Sequence, residues 1–466
     1  MSTSNSGLPL ETWRLLIIRR GGEEILVTTG GTKHTLPQVD IPPQQRIAAN
    51  INQVVERDFG LRVISLYEVV PFGDLARGEG VFYHAVAAVH PVQQPHGDTR
   101  WTCTRSLTVD SFARDGEFAA VAAFRSMVET GSKDLAAGPF LKPHWLTEVK
   151  KWIGRSLRPH SLRLSGEFQQ FNASPTFSLI RFETSLTPVW FKAVGEPNVR
   201  EWAITVTLAR LCPSFIPQIL ASKERWNAWL TLQAPGESLA SKNEMKLWKS
   251  AAAGLASLQI ATLQDAEKLL KAGAHDLRVS RLLSCVEPFF QFVADCTGRS
   301  QLQCFKNLTV LEISELKEAT RTTLRDLDGL RLVETVGHLD LNPANIFCAA
   351  DRAVFLDWAE AFVGSPIFSF EYLLQHFRRT VSREPWLAVE FRDAYLQPWR
   401  SRMSPKDLQQ ALHLSPFAAL FAYAVTVWST SETTSLQQPF RERYLLSLVR
   451  KMKSEVRQKD GERVQI

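Results

Sequence analysis

The chain has 466 residues, 45% hydrophobic and 22% charged, which is the balance of a folded globular protein and excludes a disordered one. Its 54 Lys and Arg against 48 Asp and Glu leave a net charge of +6. That charge is too mild and too dispersed for a nucleic-acid footprint, the densest basic run being RKMK at Arg450–Lys453. The length suggests two or three domains. Six cysteines without a CxxC pair read as free thiols in a reducing compartment. The first residues lack a basic start and an apolar signal core, and the apolar run Pro416–Trp428 is too short to span a bilayer. A soluble, cytoplasmic protein without a membrane partner is expected.

From the N-terminus, Trp13–Ile18 and Glu24–Thr28 read as strands about a Gly21-Gly22 turn, and His34–Pro37 as the start of another. Ile47, Ile51, Val54 and Val55 fall at helical spacing over Arg46–Arg57, and Gly60 stops that helix. Val63–Val70 and Val81–Val89 are further strands. The order strand, Leu-Pro, helix, Gly-Leu, strand resembles the Nudix hydrolase domain, whose signature is Gly-x5-Glu-x7-Arg-Glu-U-x-Glu-Glu-x-Gly-U with U a bulky apolar residue. Laid so that Gly60-Leu61 ends the pattern, the spacing fits, but Val39 stands for the first Gly and Gln45 for the first Glu. Gln53-Val54 replaces Arg-Glu, and Arg57-Asp58 replaces Glu-Glu. One surviving acid beside an arginine cannot gather a hard divalent cation, so a non-catalytic Nudix-like α/β domain is expected over residues 1–130.

Residues 131–142, polar and broken by Gly and Pro, read as a linker. A helix over Pro143–Leu157 then opens a small lobe, 143–236, with strands at Leu162–Phe168, Thr176–Glu183 and Pro188–Val194. Further strands are expected at Ile216–Ser222 and Trp226–Leu232, and a helix at Arg200–Leu211. Lys192 lies among apolar neighbours on the third strand; its bland fate is to extend to solvent. Between the first two strands, FQQFNASPT has no glycine, although small residues such as Ala173 and Ser174 would let backbone N–H groups approach a phosphate. Residues 237–466 read as a helical large lobe. Helices are expected at Ser241–Thr262, Leu263–Ala272, His275–Val293 and Glu312–Leu327, the last capped by Ser314. Others follow at Glu384–Arg400, Pro405–Leu412, Phe417–Thr430 and Phe440–Arg457.

The chemistry concentrates in VGHLDLNPANIFCAADRAVFLD, Val336–Asp357. A strand end delivers His338, Asp340 and Asn345 within one loop, and the strand Ala353–Leu356 returns with Asp357. Two carboxylates and one amide in a small volume are what magnesium-dependent phosphoryl transfer requires, since the protein contributes mainly positioning and charge neutralisation. The pattern His-x-Asp-x-x-x-x-Asn followed by an apolar strand and Asp-Trp resembles the aminoglycoside phosphotransferase and choline kinase family. The match departs at Asn342 and Ala344, where His and Gly are frequent in that family.

That resemblance implies an α+β protein with a two-lobed protein-kinase-like fold, here preceded by the Nudix-like domain. It implies Asp340 as the base, His338 as support of the catalytic loop, and Asn345 and Asp357 as magnesium ligands. Lys192 would hold the phosphates of ATP with Glu201 as its ion-pair partner, and Leu232, Gln233 and Ala234 would meet the adenine edge. The acceptor would be a small-molecule hydroxyl. A polycationic antibiotic acceptor is not favoured by the mixed, arginine-rich C-terminal helices. A protein kinase fits less well, because little chain separates Asp357 from Gly364-Ser-Pro366. From another class stands a nucleotide-binding scaffold without turnover. Glu360 reads either as a support of the metal site or as a surface acid, and no histidine spacing suggests zinc.

Overall fold

A computed structural model describes residues 10–29, 31–42, 47–70, 81–90, 92–130, 139–298, 308–349, 352–429 and 438–464. In chain order these form β1 (Glu11–Arg19), β2 (Glu24–Thr28), β3 (Gln38–Ile41), α1 (Ile47–Phe59), β4 (Val63–Glu68), β5 (Val81–Ala88), β6 (Thr99–Cys103), α2 (Asp115–Thr130), α3 (Trp145–Leu157), β7 (Leu164–Ala173), β8 (Ser178–Thr184) and β9 (Val189–Ala193). Next come α4 (Arg200–Leu211), β10 (Ile219–Lys223), β11 (Ala228–Leu232), β12 (Glu237–Ser238), α5 (Met245–Ala261), α6 (Ala266–Lys271), β13 (His275–Leu277), α7 (Val279–Gly298) and α8 (Val310–Gly329). The chain ends with β14 (Thr335–His338), β15 (Ile346–Ala349), β16 (Arg352–Phe355), β17 (Ala361–Gly364), α9 (Ile367–Thr380), α10 (Pro385–Trp399), α11 (Pro405–Ser429) and α12 (Gln438–Val464). The architecture is mixed α+β, rich in strands toward the N-terminus and helical toward the C-terminus. Two compact units result: residues 1–195 with 219–233, and residues 196–218 with 234–466.

The first unit contains two sheets. One has the order β4-β5-β1-β2-β6, with β3 added to β1 and the β1–β5 pair parallel. Its central strand β1 is an apolar run buried on both faces, so it must lie inside the layer. Helix α1 covers one face through Ala48, Ile51 and Val55 and ends at Gly60, whose φ of +65 is a left-handed conformation favoured by glycine. The opposite face carries α2, fastened by a buried ion pair between Arg14 Nη1 and Glu117 Oε1 at 3.2 Å. Glu117 Oε2 also accepts from the Leu36 N–H. The second sheet runs β10-β11-β9-β8-β7, entirely antiparallel. One apolar cluster joins the sheets, from Ile18, Tyr67 and Phe124 through Phe140 and Trp145 to Phe191 and Leu230.

The second unit packs its helices around two small sheets, β12-β15-β16 and β13-β17-β14. Several expectations change here. His275–Leu277 is a strand, recruited by parallel pairing with β17, and only then does α7 begin. The cap of α8 is Thr309 rather than Ser314, in a reciprocal box with Glu312. The segments expected as separate helices at 405–412 and 417–430 are one 25-residue helix, α11, that continues through Pro416. By length and composition α11 could cross a membrane, yet 56% of its apolar window is buried, with Phe417 and Phe421 in the core. In the first unit, His34 and Thr35 make only isolated bridges, and the strand forms later, at β3. The linker expected over 131–142 lies largely outside the described residues, as does Gln45.

Candidate active site

The loop from His338 to Asp357 is built on the two small sheets of the second unit. Strand β14 pairs with β17 so tightly that a Cβ on Gly337 would stand 2.0 Å from the Phe362 ring, and only a bare backbone fits. This delivers His338, fully buried, whose two ring nitrogens bridge separate segments. Nε2 donates to the Leu356 carbonyl at 2.9 Å, and Nδ1 accepts from the Asp340 N–H at 3.1 Å. The His338 N–H donates to Ser369 Oγ on α9, and the ring packs 4.8 Å from Trp358. The histidine is therefore a neutral strut that ties the Asp340 turn to the strand end preceding Asp357.

Beyond Asp340 the chain makes a short 3-10 turn, Pro343–Asn345, capped by Asn342, whose Oδ1 accepts from the Ala344 N–H. Pro343 suits the first position, where a missing N–H costs nothing. The turn aims Asn345 back at Asp340: Nδ2 donates to the Asp340 carbonyl at 3.1 Å and, more weakly, to Oδ2 at 3.4 Å. With Nδ2 so directed, Oδ1 is the atom of Asn345 suited to a cation. The β15–β16 hairpin then carries the chain to Asp357, which is exposed and held at φ 66, ψ 62, a left-handed conformation that aspartate tolerates better than most residues.

Sequence alone did not point to the partners on α9. The Tyr372 hydroxyl donates to Asp340 Oδ1 at 3.4 Å, so α9 contributes both the Ser369 anchor of the histidine and a contact to the aspartate. Their spacing of three places them on one helical face, a signal available in the sequence only once the neighbour of α9 is known. Glu360 is neither a plain surface acid nor hydrogen-bonded like Asp340: its Oε2 is buried and lacks a hydrogen-bond partner. Burial first, then the charges of Asp340 and Asp357, push its pKa up to about 7 against the opposing pull of Arg200. Burial likewise raises the Asp340 carboxyl, with the charge of Asp357 adding to it. The acids of this loop are electrostatically frustrated.

The remaining expected residues fall in both units. In the first, Lys192 sits mid-strand on β9, opposite Leu179 of β8 and Trp229 of β11, with Nζ 5.7 Å from the Trp229 ring centre. Leu232 ends β11, and Gln233 Oε1 accepts from Trp190 Nε1 at 2.6 Å. The β7–β8 turn overturns one expectation, because its N–H groups are already used. Ala173 donates to Asn172 Oδ1, Ser174 to the Phe177 carbonyl, and Thr176 and Phe177 to Ser174 Oγ, while residue 175 is proline. No backbone cradle for phosphate is open in that turn. In the second unit, Glu201 is buried in the first turn of α4, and Ala234 is buried at the entry to that unit.

Among the described residues, no cluster of three or more His, Cys, Asp or Glu could hold a metal alone. One carboxylate and one amide oxygen, both hard donors, are nevertheless the complement magnesium uses when water and substrate phosphate supply the rest. The raised pKa values of Asp340 and Glu360 mark a place where positive charge would be welcome.

The model of the family described as "Phosphotransferase enzyme family" matches residues 201–405, a span that includes Glu201, Asp340, Asn345 and Asp357 and leaves Lys192 outside. No curated protein matches the chain significantly. Similar solved structures include a macrolide 2'-phosphotransferase from Brachybacterium faecium, with 16% identity over 65% of this chain and 98% of that one, at a TM-score of 0.45. An ethanolamine kinase from Plasmodium vivax gives 12% identity over 63% and 83%, at 0.43. A choline kinase from Cryptosporidium parvum gives 13% over 67% and 97%, at 0.42.

Proposed function

We propose that the chain is a small-molecule phosphotransferase that moves the γ-phosphoryl group of ATP to the hydroxyl of a small acceptor. The carrying observation is the setting of Asp340, half-buried, fixed by Asn345 and Tyr372, and raised in pKa beside Asp357. The match to the phosphotransferase family over the same residues supports the reading.

In this reading Asp340 orients the acceptor hydroxyl and takes its proton as the new oxygen–phosphorus bond forms. The bond from the γ-phosphorus to the β–γ bridging oxygen breaks, leaving ADP. His338 holds the loop in register without exchanging a proton. Asn345 Oδ1 and Asp357 would hold magnesium, which when bound neutralises phosphate charge. Lys192 is assigned to the nucleotide phosphates, Glu201 to the support of Lys192, and the chain at Leu232, Gln233 and Ala234 to the adenine edge.

The test is mass spectrometry of pooled hydroxylated metabolites after incubation with magnesium and ATP, wild type beside Asp340→Asn. Phosphorylated products from wild type alone support the reading. Intact ATP and unchanged pools with wild type, despite nucleotide binding, replace it with a scaffold that binds without turnover.

A further inference from the structure

The sheet containing Lys192 ends at β7, and the N-terminal sheet ends at β4; an edge strand exposes unpaired N–H and C=O groups. A buried side chain bridges these two edges. Gln170 on β7 is 2% exposed, and its amide pairs with the backbone of Ser65 on β4 as a neighbouring strand would. The Ser65 N–H donates to Gln170 Oε1 at 2.8 Å, and Gln170 Nε2 donates to the Ser65 carbonyl at 2.9 Å. Asn52 on α1 completes the arrangement: its Nδ2 donates to the same Oε1 at 3.0 Å, and its Oδ1 accepts from Ser65 Oγ at 2.9 Å. Three residues before Ser65 in the chain, Arg62 adds a second fastening. It donates to Glu167 Oε1 at 3.0 Å and to the Phe168 carbonyl at 3.3 Å, with its guanidinium 4.7 Å from the Phe168 ring centre.

We propose that Gln170 is a positioning residue that makes the N-terminal sheet a fixed part of the lobe presenting Lys192. The path is short and continuous. Strand β7 pairs with β8, β8 pairs with β9 opposite Lys192, and the β7–β8 turn bears on the end of β9. There a Cβ on Gly195 would stand 2.2 Å from Thr176 Cβ, so turn and strand end are in direct contact. An apolar cluster shared by both sheets accounts for their cohesion, whereas the Gln170 amide fixes register, since its donor and acceptor fit Ser65 in one alignment only. The role rests on the phosphotransferase reading insofar as Lys192 serves a nucleotide.

The experiment compares full-length wild type with Gln170→Leu, which keeps bulk but leaves both Ser65 groups unpaired, and Gln170→Glu, which keeps the acceptor and loses the donor. Hydrogen exchange is read at Ser65 and across 164–178, and magnesium–ATP affinity by calorimetry at a temperature where every variant is folded. Expected are exchange about tenfold faster at both places and nucleotide affinity about fivefold weaker in Gln170→Leu, with a smaller effect in Gln170→Glu. Unchanged exchange at 164–178 overturns the clamp. Faster exchange with unchanged affinity reduces Gln170 to a purely structural residue and overturns the positioning role. Absence of magnesium–ATP binding by wild type fails the phosphotransferase reading itself, and the positioning role falls with it.

Discussion

Asp58 at the end of α1 and Asp357 after β16 are both acids that a sequence pattern places at a metal site, yet their surroundings are opposite. Asp58 is paired within its own helix, Oδ1 lying 2.5 Å from Arg57 Nε and Oδ2 2.9 Å from Nη2, and that pairing lowers its pKa. Asp357 stands near two other acids, Asp340 and Glu360, whose pKa values are raised first by burial and then further by the charge of Asp357. A carboxylate already neutralised by its neighbour has little to gain from a cation, whereas carboxylates crowded together have much to gain. An acid satisfied within its own helix thus differs from acids crowded into a loop suited to a cation.

The largest test of that contrast is Asp340→Asn, which removes the proposed base while keeping the shape and the Asn345 and Tyr372 contacts. Turnover should fall by about 10²–10⁴, with nucleotide binding preserved. Equal loss of both would mean that Asp340 serves binding instead. Next, Asp357→Ala should abolish the stabilisation that magnesium and ATP give the wild type. At about a hundred times the dissociation constant this is about 2.7 kcal/mol, several degrees in melting temperature. The same shift in both proteins would remove Asp357 from the ligand set.

A smaller effect concerns pH without ligands. Glu360 holds its proton up to about pH 7 in the fold, against an ordinary value of 4.5. Its contribution is therefore full below about pH 4.5 and lost as pH rises through 7, on the order of 1–3 kcal/mol. Melting curves of wild type should decline over that window relative to Glu360→Gln, and parallel curves would contradict the buried setting of the acid. The smallest expected effect is Asp58→Asn. Its melting temperature and its response to magnesium should both match wild type, because an exposed pair such as Arg57–Asp58 contributes little and its carboxylate is already engaged. A lost magnesium response in that variant would instead make Asp58 a cation ligand.

The sequence by itself determined the pieces whose signals are local. Apolar periodicity located β1, β2, α1, α4 and the strand of Lys192, and the spacing His338, Asp340, Asn345, Asp357 picked out the loop, because a motif on one short turn carries its geometry in its spacing. Helix α2 went unread: its Ala-rich stretch has a weak amphipathic stripe, and its anchor, Glu117, is a charge that burial with Arg14 alone explains. His275–Leu277 became a strand only because β17 lies beside it, and β6 only because β2 does. Tertiary structure alone decided that Ser369 and Tyr372 serve the loop, that Glu360 Oε2 is buried without a hydrogen-bond partner, and that Gln170 pairs with Ser65. Each of these depends on a residue distant in sequence, and the cost or gain of a buried polar group is set by what faces it, which no local pattern encodes.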